Sequence, residues 1–304
     1  MDISDINPRL RAATKKAPRI NFENALTRWI IAKAAGLAPG KRMEGVERRI
    51  VVHEGVRLRV YIPAHASGAA LLWVHGGGLV VGSAALDDIM CSETAAQTGA
   101  VVVSVGYRLA PAHRFPAAID DCYTGWRWLQ QNLSALGIDP NRVAIGGQSA
   151  GGGLAANLVH RAHDAGDPIA AQWLFCPMLD DRTAADRSLD AVDHFVWNNR
   201  SNLVGWSSYL GSAMGGDELP PYAAASRRGD LSGLPTTWIY TSDIELFRDE
   251  DLEYARRLTD AGVDVTLEIV NGAPHGFEAW APKEAMSKEL LNGARDWLDA
   301  QLSR

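Results

Sequence analysis

Short apolar runs punctuate the chain. Ala69–Val74 and Val101–Val105 are hydrophobic at nearly every position, as is the shorter Val143-Ala144-Ile145. Runs of that length suit strands buried on both faces, where alternation is lost because neither side meets water. Ala170–Phe175, closed by Pro177, reads as another strand, and strand patterning returns at Thr236–Thr241 and Asp264–Val270. Earlier, Val46–Val52 and Val56–Ile62 flank His53-Glu-Gly and predict a hairpin. Between these segments the spacing turns helical, over 117–133, 150–164, 249–261 (ended by Gly262) and about 283–302. Residues 1–45 are helical in pattern without strands. There Phe22, Ala25, Leu26, Trp29, Ile30 and Lys33 fit one amphipathic helix closed near Gly36 and Pro39, and such a stripe is expected to pack against something.

Strands alternating with helices imply an α/β fold with a mostly parallel sheet covered on both faces. Residues 180–222 change character: polar residues are frequent, Trp197 and Trp206 stand out, and the segment looks like part of a lid. The expected organisation is a core of 46–180 and 223–304 with a discontinuous helical cap of 1–45 and 181–222. No internal repeat and no low-complexity segment interrupts it.

Composition narrows the function classes. The net charge of -6 and the lack of any dense Lys/Arg block argue against a nucleic-acid partner. No run approaches the ~18 apolar residues of a membrane span. The acidic start, Met1-Asp-Ile-Ser-Asp, lacks the basic and apolar regions of a secretory signal, so a cytoplasmic location is expected. Three widely spaced cysteines, Cys91, Cys122 and Cys176, suit a reducing compartment and lack metal-ligand spacing. Cys122 and Cys176 read as core residues, and neither metal nor organic cofactor is expected.

The chemistry gathers around Gly147-Gln148-Ser149-Ala150-Gly151, a G-x-S-x-G turn between an apolar run and a helix. A serine at such a reversal takes a strained backbone, and flanking glycines leave room where any Cβ would collide. The turn lifts the Ser149 hydroxyl from the sheet and aims the Ala150 amide, at a helix N-terminus, toward incoming negative charge. A serine nucleophile needs a base, an acid and oxyanion donors, in the chain order Ser, Asp/Glu, His on a sheet of this kind. His160 and His163 lie on the helix leaving the serine, and His194 lies in the presumed lid. His275, in Asn271-Gly-Ala-Pro-His-Gly-Phe277 directly after a strand, is the preferred base. The acid belongs on the loop Ser242-Asp-Ile-Glu-Leu-Phe-Arg-Asp249, where position alone does not separate Asp243 from Glu245; Asp249 and Glu250 read as helix-start residues. His75-Gly76-Gly77-Gly78 follows a buried strand, and its glycines leave amides free to join that of Ala150 in a three-donor oxyanion hole. His75 itself reads as a brace for that loop.

Together His75-Gly-Gly-Gly78, Tyr107-Arg-Leu-Ala-Pro111 with Phe115-Pro-Ala-Ala118, Gly147-Gln-Ser-Ala-Gly-Gly152 and Pro274-His-Gly-Phe277 resemble the bacterial hormone-sensitive-lipase-like (family IV) carboxylesterases of the α/β-hydrolase superfamily. The resemblance covers nearly the whole chain and implies an α/β-hydrolase fold with a helical cap. It makes Ser149 the nucleophile, His275 the base, and Gly77, Gly78 and Ala150 the oxyanion amides. The family's acid stands three residues before the Arg of an Asp-Pro-Leu-Arg-Asp segment. Arg248-Asp249 matches its end, which puts Glu245 in that place and leaves Asp243 as second choice. Gln148 stands where the family often has Asp and Ala112 where it often has Glu, so the hydrogen bonds around the serine turn are expected to differ. Tyr107, Arg108, Asp120 and Asp121 read as structural. The implied activity is hydrolysis of short- to medium-chain acyl or aryl esters through an acyl-enzyme. The lid is too short and polar for a true lipase; Phe195, Trp197, Leu203 and Trp206 are candidates to line a substrate pocket. The same triad would serve an amidase or arylacylamidase. A ligand-binding protein resembling the plant gibberellin receptors would lack the histidine that stands here at 275, and Ser149 excludes the Asp nucleophile of epoxide hydrolases. A small-molecule ester is the expected partner, with a homodimer through an edge strand at 264–270.

Overall fold

The structure, a computed structural model, describes residues 1–17, 20–37, 40 and 43–304; Pro39, named above as a helix end, lies outside them. Among the described residues the strands are β1 (Val46–His53), β2 (Val56–Pro63), β3 (Ala70–Val74), β4 (Val101–Gly106), β5 (Val143–Gln148), β6 (Ala171–Phe175), β7 (Thr237–Ser242) and β8 (Val265–Val270). They form one sheet in the order β1-β2-β4-β3-β5-β6-β7-β8. The hairpin β1–β2 and the β2–β4 pair are antiparallel, and every later neighbour is parallel. The helices are α1 (Arg11–Lys16), α2 (Ala25–Leu37), α3 (Asp88–Thr98), α4 (Ala117–Leu136), α5 (Ala150–Asp164), α6 (Asp181–Ala185), α7 (Asn199–Leu210), α8 (Arg248–Asp260), α9 (Phe277–Trp280) and α10 (Ala285–Leu302).

The central strands read as unbroken apolar runs because each feeds two cores. Successive side chains point to opposite faces. Leu72, Val74, Val103, Val105, Ile145, Leu174 and Ile239 meet Trp126 and Leu129 of α4 and Leu154 and Leu158 of α5. Leu71, Trp73, Val102, Ala144, Trp173, Phe175, Trp238 and Tyr240 meet Cys91 and Ala95 of α3 and Leu290 and Leu298 of α10. Aromatic rings fill this second layer edge to face, with Trp73–Trp173 centroids 5.6 Å apart and Trp173–Phe175 at 4.6 Å. All three cysteines are buried and unbridged.

Two features depart from the pattern reading. Helix α3 has no counterpart in the apolar pattern, because its buried side is largely polar: Asp88, Ser92, Thr94 and Thr98 lie inward with Cys91 and Ala95. Asp88 accepts from Arg59 Nη1 at 3.0 Å and also from Arg48 and the Tyr61 hydroxyl, which anchors the helix to the hairpin. The apolar stripe at 22–33 is the second, apart from Phe22, which is buried against Trp197 as expected. Its Leu26, Trp29 and Ile30 are 64%, 59% and 52% exposed, and α2 instead turns Ile31, Ala32 and Ala35 toward the core. Ser83 Oγ, donating to the Ala35 carbonyl at 2.7 Å, fixes that orientation. Strand β8 is the last of the sheet, with Leu267 and Ile269 partly exposed. Because the strands from β3 onward run parallel, the loops that follow β3, β5, β7 and β8 emerge at one end of the sheet.

Candidate active site

Ser149 joins β5 to α5 with φ 54° and ψ -122°, a conformation that costs a non-glycine residue on the order of 1–3 kcal/mol. The neighbourhood holds it there. Its amide donates to the Phe175 carbonyl at 2.8 Å, and its own carbonyl accepts from Met178 at 2.9 Å and Gly153 at 3.0 Å. The flanking glycines have no alternative: a Cβ at Gly147 would lie 2.3 Å from the Gly151 carbonyl oxygen, and one at Gly151 2.2 Å from that of Val74. The close approach of α5 to β3 thus rests on glycine at both positions.

His275 Nε2 lies 2.8 Å from Ser149 Oγ, and its Nδ1 lies 2.6 Å from Glu245 Oε2. All three side chains are buried. The other Glu245 oxygen accepts from Thr241 Oγ1 at 2.7 Å and the Ser242 amide at 3.3 Å, so the carboxylate is held at both ends. Phe247 presents its ring to the imidazole at a centroid distance of 5.2 Å, nearly perpendicular, and Trp280 Nε1 donates to the His275 carbonyl at 3.0 Å. Asp243 turns elsewhere: its Oδ1 accepts from the Gly272 amide at 2.6 Å and ties the loop after β7 to the loop after β8. His160 is buried against the Tyr254 hydroxyl at 2.9 Å, and His163 lies beside Gly233. Asp249 is exposed in the first turn of α8. Glu250 is buried and accepts from the Leu179 amide at 2.7 Å, which holds the segment after β6.

The loop after β3 folds back over the serine turn. Gly77 has φ 122° and Gly78 φ 58°, and Val80 and Val81 both donate to the Gly77 carbonyl, at 3.1 and 3.0 Å. Among the described residues the Gly77 and Gly78 amides donate to no protein acceptor. Ala150 opens α5, where the first N–H groups have no acceptor within the helix. His75 stacks on Tyr107 at 4.2 Å, its Nδ1 lies 2.8 Å from the Gly76 carbonyl, and burial lowers its pKa to about 4. Tyr107 donates to the His75 carbonyl at 3.0 Å, while Arg108 is bound to Asp121 at 2.7 Å and Asp120 to Arg161 at 2.7 Å. From the other side Trp197 roofs the glycine loop: a Cβ on Gly78 would fall 2.0 Å from its ring. Trp206 is also buried in the core of this region. Ala112, on the loop before α4, is exposed.

Gln148, the departure noted in the serine turn, meets a carboxyl that no spacing rule pointed to. Its Nε2 donates to Glu278 Oε1 at 2.5 Å, and Tyr240 donates its hydroxyl to Glu278 Oε2. Burial raises the pKa of Glu278, and its hydrogen bonds pull the other way. Among the described residues, Cys176, Glu245 and His275 are the group whose ligand atoms lie within 4.8 Å of one another. Glu245 and His275 are hydrogen-bonded at 2.6 Å, closer than two ligands of one tetrahedral zinc stand at bond lengths of about 2.0–2.2 Å.

The family model described as an alpha/beta hydrolase fold matches residues 71–279. Over 257 residues the chain is 34% identical to carboxylesterase NlhH of Mycobacterium tuberculosis, covering 78% of this chain and 76% of that protein. It is 32% identical over 280 residues to an ethyl acetate hydrolase of Pseudomonas putida, covering 88% of this chain and 87% of the relative. Among solved structures, a bacterial heroin esterase superposes with a TM-score of 0.91 at 36% identity, covering 99% of each chain.

Proposed function

We propose, for a chain that belongs to the α/β-hydrolase family, that it is a serine carboxylesterase acting on short- to medium-chain acyl or aryl esters. The observation that carries the reading is the unbroken chain of hydrogen bonds from Ser149 Oγ through both nitrogens of His275 to Glu245, at 2.8 and 2.6 Å. The relatives named for carboxylic ester hydrolysis support the class, and the ethyl acetate hydrolase supports small acyl groups.

In this reading Ser149 attacks the ester carbonyl while His275 Nε2 accepts its proton. Glu245 fixes the imidazole tautomer and stabilises the imidazolium that forms. The negative charge that develops on the carbonyl oxygen is met by the amides of Gly77, Gly78 and Ala150, each worth ~2.7–4 kcal/mol of transition-state stabilisation. His275 then protonates the departing alcohol, and water, deprotonated by the same nitrogen, releases the acid from Ser149. Trp197 above Gly78 closes one side of the site, consistent with a modest acyl pocket. Pairing of two chains through β8 belongs to the same proposal, and sedimentation that finds monomer alone removes it.

The test is turnover of p-nitrophenyl esters from acetate to palmitate, with a p-nitroanilide run alongside. Rates should peak at short chains, and Ser149→Ala should lower kcat by roughly a millionfold. A faster anilide moves the assignment to an amidase on the same triad. No turnover of any ester ends the esterase reading.

A further inference from the structure

Glu278 lies outside the chain from Ser149 to Glu245, yet its side chain meets the elements that carry all three residues. It is 4% exposed and sits on α9, three residues after His275. One carboxyl oxygen accepts from Gln148 Nε2 at 2.5 Å, and Gln148 immediately precedes the nucleophile. The other accepts from Tyr240, on the strand that leads to Glu245, and the same hydroxyl lies 3.4 Å from Cys176 Sγ on the segment that accepts the Ser149 amide. The Gln148 amide threads between two glycines: a Cβ at Gly76 would stand 3.3 Å from its Oε1, and one at Gly276 3.4 Å from its Nε2. The contact is therefore fitted to both the glycine loop and the base's loop.

We propose that Glu278 is a positioning residue that clamps the His275 loop to the serine turn and to β7, holding Nε2 within reach of Ser149 Oγ. The proposal rests on the triad reading above. Helix α9 has four residues, too few to be stable by its own hydrogen bonds, so its place is set by tertiary contacts. A buried carboxyl is costly unless both oxygens find donors, and here both do. The clamp's bonds join Gln148, Tyr240 and Glu278 and do not include the Ser149 or His275 side chains. Its loss therefore acts on the geometry of proton transfer, where a shift near 1 Å costs up to about a hundredfold.

The test exchanges the two partners. Glu278→Gln removes the strong acceptor without changing shape. Gln148→Glu opposes two carboxyls, which must then share a proton. The double variant restores an amide–carboxyl pair with the roles reversed, leaving the amide carbonyl introduced by Glu278→Gln to accept from Tyr240. Rates of p-nitrophenyl acetate hydrolysis are measured per active site titrated by the initial burst, which removes any unfolded fraction from the comparison. Each single change should lower kcat about tenfold or more with KM within about twofold, and the double variant should return to within about threefold of wild type. Single-variant effects that simply multiply in the double variant, or a Glu278→Gln enzyme with wild-type kcat, would overturn the clamp. Ester turnover that survives Ser149→Ala would instead overturn the triad reading beneath it.

Discussion

Glu245 reaches the imidazole with a side chain one methylene longer than aspartate, and the loop is built for that length. Its second oxygen is anchored by Thr241 and the Ser242 amide, which leaves Oε2 a single direction, toward Nδ1. Asp243, two residues earlier, is committed to the Gly272 amide. Glu245→Gln should therefore lower kcat by about ten-thousandfold, the scale on which a wrong imidazole tautomer acts. Asp243→Asn should leave kcat within a few-fold and cost about 1 kcal/mol of stability through a weakened loop hydrogen bond. Ester kinetics with a urea melt on each variant check this, and a silent Glu245→Gln beside a dead Asp243→Asn would reverse the assignment. Ser149 and His275, which the structure brings to 2.8 Å, could be paired from the sequence because it marks them locally, by flanking glycines in one case and by a loop after a strand in the other. The choice between two carboxyls two residues apart depends on which way a turn faces, and spacing does not encode that. Glu278 was illegible for another reason: its partner Gln148 is 130 positions away, and a lone glutamate in a helical stretch carries no mark.

At the scale of elements, the strands were readable because burial on both faces leaves them uniformly apolar, and helices with one apolar face were readable by spacing. Where polar side chains do the anchoring the reading failed, as in α3, whose Asp88 is held by Arg59, Arg48 and Tyr61. The exposed stripe of α2 is the converse error, apolar residues placed where no described core covers them. Contact between α7 and the glycine loop shows what pattern cannot supply. A Cβ at Gly205 would stand 2.7 Å from the Gly78 carbonyl oxygen and 3.4 Å from Met178. On propensity alone Gly205→Ala would stabilise α7 by about 0.5–1 kcal/mol. Overpacking at a backbone atom costs about 1–3 kcal/mol and must be relieved by moving α7 or the loop. The expected net result is lower thermal stability together with a loss of kcat of about tenfold, because the loop that moves carries the Gly77 and Gly78 amides. A variant more stable and equally active would show that α7 does not brace the loop.

For the whole molecule, the acid response runs through α5, which opens after Ser149 and buries His160 near its end against Tyr254 of α8. Burial, with Arg228, Arg257 and His163 nearby and Asp164 opposing them, lowers the His160 pKa from 6.5 to about 3. The unfolded chain takes up this proton near pH 6.5 and the folded chain only near 3, so across that window unfolding binds a proton. The contribution of His160 is complete above pH 6.5 and is lost progressively as pH falls toward 3, at about 1.36 kcal/mol per unit. Asp87, raised to about 6 by burial, pulls the other way, as do Glu250 and Glu278. The wild-type curve therefore mixes opposing slopes, and His75 adds another of the same sign as His160. The difference between wild type and His160→Gln isolates one group, because Gln keeps a polar atom for the Tyr254 hydroxyl and does not titrate. From pH 7 to 5 wild type should lose about 2 kcal/mol more than the variant, read from urea unfolding at each pH. Parallel curves would mean that His160 titrates alike in the folded and unfolded chain, and acid sensitivity would then belong to other groups of the same sign, such as His75.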